Sequence, residues 1–274
     1  MASHNRRNLT LACLRSLENS ADNGAYTIRV HLFDDGSSDG TEAAVRSEFS
    51  TAEVIRGSGS AFWAAGMAAA ERAVLADREV EDDDFLLWLN DDVVLDVDAI
   101  QRLMQCALER PGIVVGAVRD PQSGLLTYSG LKRHGWHPLR YERVHPDQNL
   151  PIQVDSLNGN VVLVKVGLAR KLGGIEGRFA HAFADIDYGI RAMRSSVIIW
   201  LAPGTVGTCP TNGDAPRGTI SADWASFRGI KGGGNFSSLR LILGRTHPMT
   251  WPFYIGLTYC LWWIRRLSVR VIKT

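Results

Sequence analysis

A mostly parallel α/β sheet with helices on both faces is the fold class this sequence predicts. Short apolar runs alternate with helical stretches along most of the chain. Two of those runs end on clusters of acids, IRVHLF on FDDGSSDGT (33–41) and FLLWL on NDD (90–92). A composition of 45% apolar and 22% charged residues suits a chain of 274 residues that buries a sizeable core.

Taken in order, residues 9–18 read as a helix, and IRVHLF (28–33) as a strand entering the first acidic turn. Residues 41–49 read as a helix, with Asp39 and Thr41 as its cap, and 61–77 as a longer, alanine-rich one. FLLWL (85–89) is a short, fully apolar strand. Asp98 to Glu109 is a helix closed by Pro111-Gly112, and IVVGAV (113–118) is the next strand. Residues 124–150 show no clear period and read as loops with room for a hairpin. VVLVKV (161–166) and VIIWL (197–201) are strands, with a helix from about Asp185 to Arg194 between them. No repeat, low-complexity tract or linker divides the chain. The expectation is one domain over 1–235, followed by a helical segment over 236–274.

The net charge of +1 provides no general field for nucleic acid, so an anionic partner needs a local site. Cys13, Cys106, Cys209 and Cys260 lack zinc or disulfide spacing, which suits a reducing, cytoplasmic setting. No basic-then-apolar run opens the sequence as given. PMTWPFYIGLTYCLWWI (248–264) holds six aromatics and no charge, and Arg265, Arg266, Arg270 and Lys273 follow it. Seventeen such residues fall short of the roughly 20 that span a bilayer. Two readings stay open: a helix lying on the inner face of the plasma membrane, or one packed on the domain or a second subunit.

In an open parallel sheet, ligands bind beyond the carboxyl ends of the strands, where both acidic clusters lie. Turn chemistry alone explains one cluster, since Asp and Asn bond nearby backbone amides. Two clusters on two strand ends suggest a site. Hard divalent cations such as Mg²⁺ and Mn²⁺ take oxygen ligands, often one or two carboxylates plus substrate phosphates. EDDD (81–84) precedes its strand and reads as a solvated loop.

FDDGSSDGT, RGSGSAFWAAGM (56–67), LLWLNDDV (86–93) and FADIDYGIRA (183–192) follow one another in an order that resembles the family-two glycosyltransferases of GT-A fold. The likeness is strongest to their bacterial rhamnosyltransferase-like branch and runs over about residues 2–210. The resemblance implies that Asp35 meets the nucleotide base, with Asp34 beside it, and that Asp91 lies near the sugar or ribose. It implies that Asp92 binds the divalent cation, with Asn90 where many members carry a first acid. It places the catalytic base at Asp185, a position that also reads as a helix N-cap. Trp63 is a candidate for stacking on sugar or base, and equally for burial. Asn158, Asn160 and His181 are candidates for the acceptor side. KGGGN (231–235) reads as a flexible connection.

ASHNR (2–6) matches the close of the family's first strand, so that strand is expected to be cut to its last residues, within a longer natural chain. The function expected is inverting transfer from a nucleotide-diphosphate sugar to a glycan or lipid-linked hydroxyl, in cell-surface polysaccharide synthesis. A sugar-phosphate nucleotidyltransferase and a catalytically degenerate scaffold are the alternatives.

Overall fold

The computed structural model describes residues 1–21, 26–211 and 218–271, the last three of these as backbone only. Lys273 and the Arg270 side chain therefore lie outside the described residues.

The chain opens with a two-residue strand, β1 (Ala2–Ser3), and helix α1 (Arg7–Ser20). α1 forms because Leu11, Leu14 and Leu17 recur at helical spacing and bury one stripe. β2 (His31–Asp34), α2 (Thr41–Glu48) and β3 (Glu53–Arg56) follow. β1, β2 and β3 pair in parallel, with Ser3 opposite Asp34 and Asp34 opposite Arg56. α3 (Phe62–Ala76) lays Ala64, Met67 and Ala68 on the core, where small side chains permit close approach to the sheet.

The larger sheet is assembled from β4 (Phe85–Leu89), β5 (Val94–Leu95), then, after α4 (Ala99–Glu109), β6 (Ile113–Arg119) and β7 (Leu126–Tyr128). β8 (Gly130–Arg133), β9 (Tyr141–Arg143), β10 (Ile152–Val154), β11 (Ser156–Leu157) and β12 (Val161–Lys165) come next. Helices α5 (Val166–Leu172) and α6 (Ala184–Arg194) precede β13 (Ile199–Thr208). The strand order is β10-β13-β6-β12-β4, with β5 beside β13 and β7 beside β6. β13 runs parallel to β6, while β12 runs antiparallel to both β6 and β4. β4, β6 and β13 thus share one direction and β12 alone among these four is reversed. The unpatterned stretch 124–150 contains the β8–β9 hairpin, which joins β11 in a separate small sheet. β13 starts two residues later than VIIWL suggests and runs on through Pro203 and Gly204. A register shift between Leu201 and Thr205 absorbs those residues, and Gly204 takes φ 62°.

Helices cover both faces. Trp88, Tyr188, Phe179 and α3 fill one layer, and Trp88 meets Tyr188 edge-on at 4.6 Å between ring centroids. Leu14, Leu32, Val45 and Leu103 fill the other. α7 (Ile220–Arg228), α8 (Phe236–Thr246) and α9 (Trp251–Val271) complete the described chain. α8 sinks Leu239, Ile242 and Leu243 into the first layer, whereas among the described side chains of α9 only Ile255 is fully buried there, with Trp251, Tyr254 and Tyr259 packed against it in part. β4 is the last strand of its sheet, and between it and β2 lies a cavity of about 640 Å³ lined by Val30, Met67, Leu86, Trp88 and Leu163.

Candidate active site

The turn after β2 is held from several sides. Asp34 is buried and accepts the Ser37 N–H at 3.0 Å, an Asx turn that closes the strand. Asp35 accepts from Gly59 (2.8 Å), Ala61 (2.8 Å) and Phe62 (3.1 Å), and so fixes the loop that starts α3. A carboxylate offers about four acceptor positions, so one remains for a further N–H donor. Gly36 (φ 67°) lets the two loops touch, because a Cβ there would lie 2.9 Å from the Gly59 nitrogen. Asp39 caps rather than binds: it accepts the Arg7 and Thr41 N–H groups. Asn5 bridges to the same turn through Ser37 and Ser38.

The turn after β4 faces this one. Asn90 gives its side-chain oxygen to the Trp63 indole N–H at 2.7 Å. Asp91 turns inward and is buried, and burial raises its pKa against the pull of Arg6. One Arg6 nitrogen, Nη1, reaches both Asp91 (3.0 Å) and Asp92 (2.9 Å). The Cys209 thiol donates to the other Asp92 oxygen at 3.4 Å.

The neighbouring wall comes from α6 and the residues before β12. Helix α6 starts at Ala184 with Phe183 as N-cap and no side-chain cap, which places Asp185 inside the first turn and removes the cap reading. Asp185 instead accepts from Gly159 (3.2 Å) and Ile186 (2.8 Å). Burial raises its pKa against those two amides. Gly159 is required here: a Cβ would lie 2.5 Å from the Trp63 ring. The ring, the glycine and the carboxylate are thus packed in sequence. Asp187, two residues on, faces away and binds Arg191 (2.8 Å) and Arg245 (3.1 Å), tying α6 to α8.

These walls enclose a cavity of about 300 Å³, at the small end of ligand pockets. Trp63, Asn90, Asp92, Asn158, Asn160, His181 and Asp185 all line it. Asp34, Asp35 and Asp91 do not; they are buried behind the turns. Asn158 also accepts weakly from Ser129 (3.5 Å), and Asn160 donates to Cys209 (3.7 Å). His181 lines the cavity with Nδ1 unpartnered, and burial lowers its pKa, helped by Lys231 and Arg6. Two aromatic residues beside the site carry left-handed backbone, Phe62 (φ 56°) and Phe183 (φ 77°), strain of the kind stored at functional sites. Sequence reasoning missed Arg6, Cys209 and these two. The doublet Arg6-Arg7 carries no periodicity to show which guanidinium turns inward.

Among the described residues no group of three or more His, Cys, Asp or Glu could hold a metal by itself. Asn90 is engaged by Trp63, so of the expected metal ligands Asp92 is the one left at the cavity wall. A hard divalent cation needs no more than one or two protein carboxylates when phosphate oxygens and water complete its shell. The donor set fits a cation that arrives with a diphosphate and shares Asp92 with Arg6.

No curated protein matches the chain. Among solved structures, S. aureus TarS 1-349 shares 11% identity with a TM-score of 0.54, over 76% of this chain and 58% of that one. The mannosyltransferase PcManGT from Pyrobaculum calidifontis, solved with GDP-Man and Mn²⁺, shares 15% identity (TM-score 0.52, 83% and 58%). GalNAc-T7, solved with UDP, GalNAc and Mn²⁺, shares 12% (TM-score 0.57, 88% and 46%). The chain spans about half the length of these neighbours, and the likeness is one of fold, the GT-A glycosyltransferase fold. The family model for "Glycosyl transferase family 2" matches residues 1–168, more than half of the sequence. By that match, and with both acidic turns inside it, the chain belongs to glycosyl transferase family 2.

Proposed function

We propose that the chain is an inverting glycosyltransferase that moves a sugar from a nucleotide-diphosphate donor to an acceptor hydroxyl. The observation that carries this reading is that Asp92 and Asp185 line one cavity in different electrostatic settings. Asp92 is bridged by Arg6, whereas Asp185 accepts from two backbone amides and has its pKa raised by burial. A guanidinium beside a carboxylate that can hold a cation suits a leaving diphosphate, and a desolvated carboxylate suits a proton acceptor.

In the proposed step the acceptor O–H gives its proton to Asp185 while its oxygen bonds to the anomeric carbon. The bond from that carbon to the diphosphate breaks, and the electron pair leaves with the nucleoside diphosphate. Attack opposite the leaving group inverts the configuration. Arg6 offsets the developing negative charge, and a divalent cation held at Asp92 would add to that effect. Asp35 keeps its remaining acceptor position for a base N–H, and Trp63 offers a ring face for stacking on the sugar or base. Asn158, Asn160 and His181 supply polar groups for the acceptor. The neighbours solved with GDP-Man or UDP support the donor class. Resemblance to the rhamnosyltransferase-like branch supports a hexose or deoxyhexose and a cell-surface glycan or lipid-linked acceptor. Four unpaired cysteines support a cytoplasmic setting.

A panel of nucleotide sugars, assayed for acceptor-dependent release of nucleoside diphosphate, tests the reading. For the donor that turns over, Asp185→Asn should lower the rate at least ~100-fold while donor binding stays near wild type. A variant with normal turnover and a lower melting temperature would return Asp185 to a structural role.

A further inference from the structure

α9 is anchored along one side and bare along the other. Tyr259 donates to the Gly234 carbonyl at 3.0 Å, Trp262 packs on Trp224 at 4.9 Å, and Ile255 is buried. On the opposite side Phe253, Cys260, Ile264 and Leu267 recur at helical spacing and fall within about 60° of one another. Phe253 is 63% exposed, Ile264 58% and Leu267 49%, and Met249, 92% exposed, extends the stripe past the helix start. A stripe of this length, about 20 Å from Phe253 to Leu267, exceeds the scattered apolar exposure normal on a soluble surface.

Charge identifies what covers it. Residues 218–274 hold eight lysines and arginines against one acid, Asp223, which leaves 22 basic and 28 acidic residues in the rest of the chain. The segment that bears the stripe is therefore net positive while the rest of the chain is net negative. Arg245 and Arg266 are tied up in ion pairs, but Arg228, Arg240 and Arg265 are exposed. A second copy docked stripe to stripe would bring two like-charged segments together. Among the described residues no helix is long and apolar enough to cross a membrane, so an apolar, aromatic, cation-flanked helix would lie in the interface plane.

We propose that this face of α9 docks the protein on an anionic lipid bilayer. The stripe enters the headgroup boundary, and the exposed arginines meet lipid phosphates. The same segment comes close to the cavity: Lys231, between α7 and α8, lies 6.0 Å above the ring of Phe62, the neighbour of the lining residue Trp63, and Tyr259 holds that connector through Gly234. Docking would thus bring the cavity to a lipid-borne acceptor. That last clause rests on the proposed transfer, while the docking itself does not.

Co-sedimentation of the full chain with vesicles of phosphatidylcholine, alone or mixed with phosphatidylglycerol, tests the proposal. The chain should sediment with the anionic vesicles and be released by high salt. Phe253→Gln, Ile264→Gln and Leu267→Gln combined should weaken binding roughly tenfold or more. Arg240→Gln with Arg265→Gln, which removes two exposed charges and keeps every residue of the stripe, should weaken it several-fold and flatten the salt dependence. Asp185→Asn should bind vesicles like wild type, so a failed transfer reading leaves the docking result standing. Retention of the intact chain in the supernatant would overturn the proposal, as would full binding by the apolar variant. So would a dimer that dissociates when the stripe is substituted and shows no affinity for vesicles.

Discussion

The two ends of the gap between β2 and β4 are built differently. At the carboxyl end, Arg6 bridges Asp91 and Asp92, Asp35 takes three amides, and His4 meets the Asp35 carbonyl at 2.6 Å. Polar contacts there tie the two turns together, with one Arg6 nitrogen shared by two carboxylates and the second Asp91 oxygen left without a partner. Further down, the same two strands are separated by the cavity of about 640 Å³, with apolar side chains facing space and the buried Glu71 carboxyl among its lining. Close packing normally supplies much of the contact energy between such strands. Here the geometry of the site end rests on polar stitches instead, so stability and activity should respond to different substitutions.

The largest effect is expected at the cavity end. Glu71 accepts from the Trp88 indole (3.3 Å) and the Ile175 N–H, yet burial pushes its carboxyl up to about 7 from an ordinary 4.5. Between those values the folded chain holds a proton that the unfolded chain has lost. Stability from this group therefore falls as pH rises through that window, and the full penalty, about 3 kcal/mol, is present above it. Denaturant unfolding across pH should show this slope in the wild type. Glu71→Gln should remove it whatever the variant's absolute stability, and an unchanged slope would assign it to another group.

A smaller effect is expected at the site end. Arg6→Gln leaves the buried Asp91 without its cation and should cost about 2 kcal/mol. That is below the 3–5 kcal/mol of a fully buried pair, because the Arg6 side chain is 41% exposed. Arg15→Gln breaks an exposed pair between α1 and Glu48 of α2 and should leave stability nearly unchanged. Equal melting temperatures for the two variants would show that the Arg6 bridge is not structural.

FLLWL was legible residue for residue, because an apolar β-forming run bounded by acids on both sides has little other reading. That Asp92 and Asp185 share a cavity was legible only through the order of motifs, since no local pattern joins residues so far apart. What stayed hidden depended on atoms rather than patterns. The inward turn of Arg6, the three amides on Asp35 and the start of α6 one residue before Asp185 are set by tertiary contacts. The passage of β13 through Pro203 and Gly204 was hidden for a related reason. A proline and a glycine mark breaks in sequence, while a bulge lets the strand continue.

The claim that the carboxyl end of the gap is a metal-assisted diphosphate site is tested most directly by calorimetry. Binding of UDP and GDP would be measured with and without Mn²⁺, for the wild type and Asp92→Ala. Wild type should bind at least one of the two nucleotides with a marked gain from Mn²⁺. Asp92→Ala should lose that gain while melting near the wild-type temperature, since Asp92 lies at the cavity wall rather than in the core. A gain from Mn²⁺ that persists undiminished in Asp92→Ala would contradict the account.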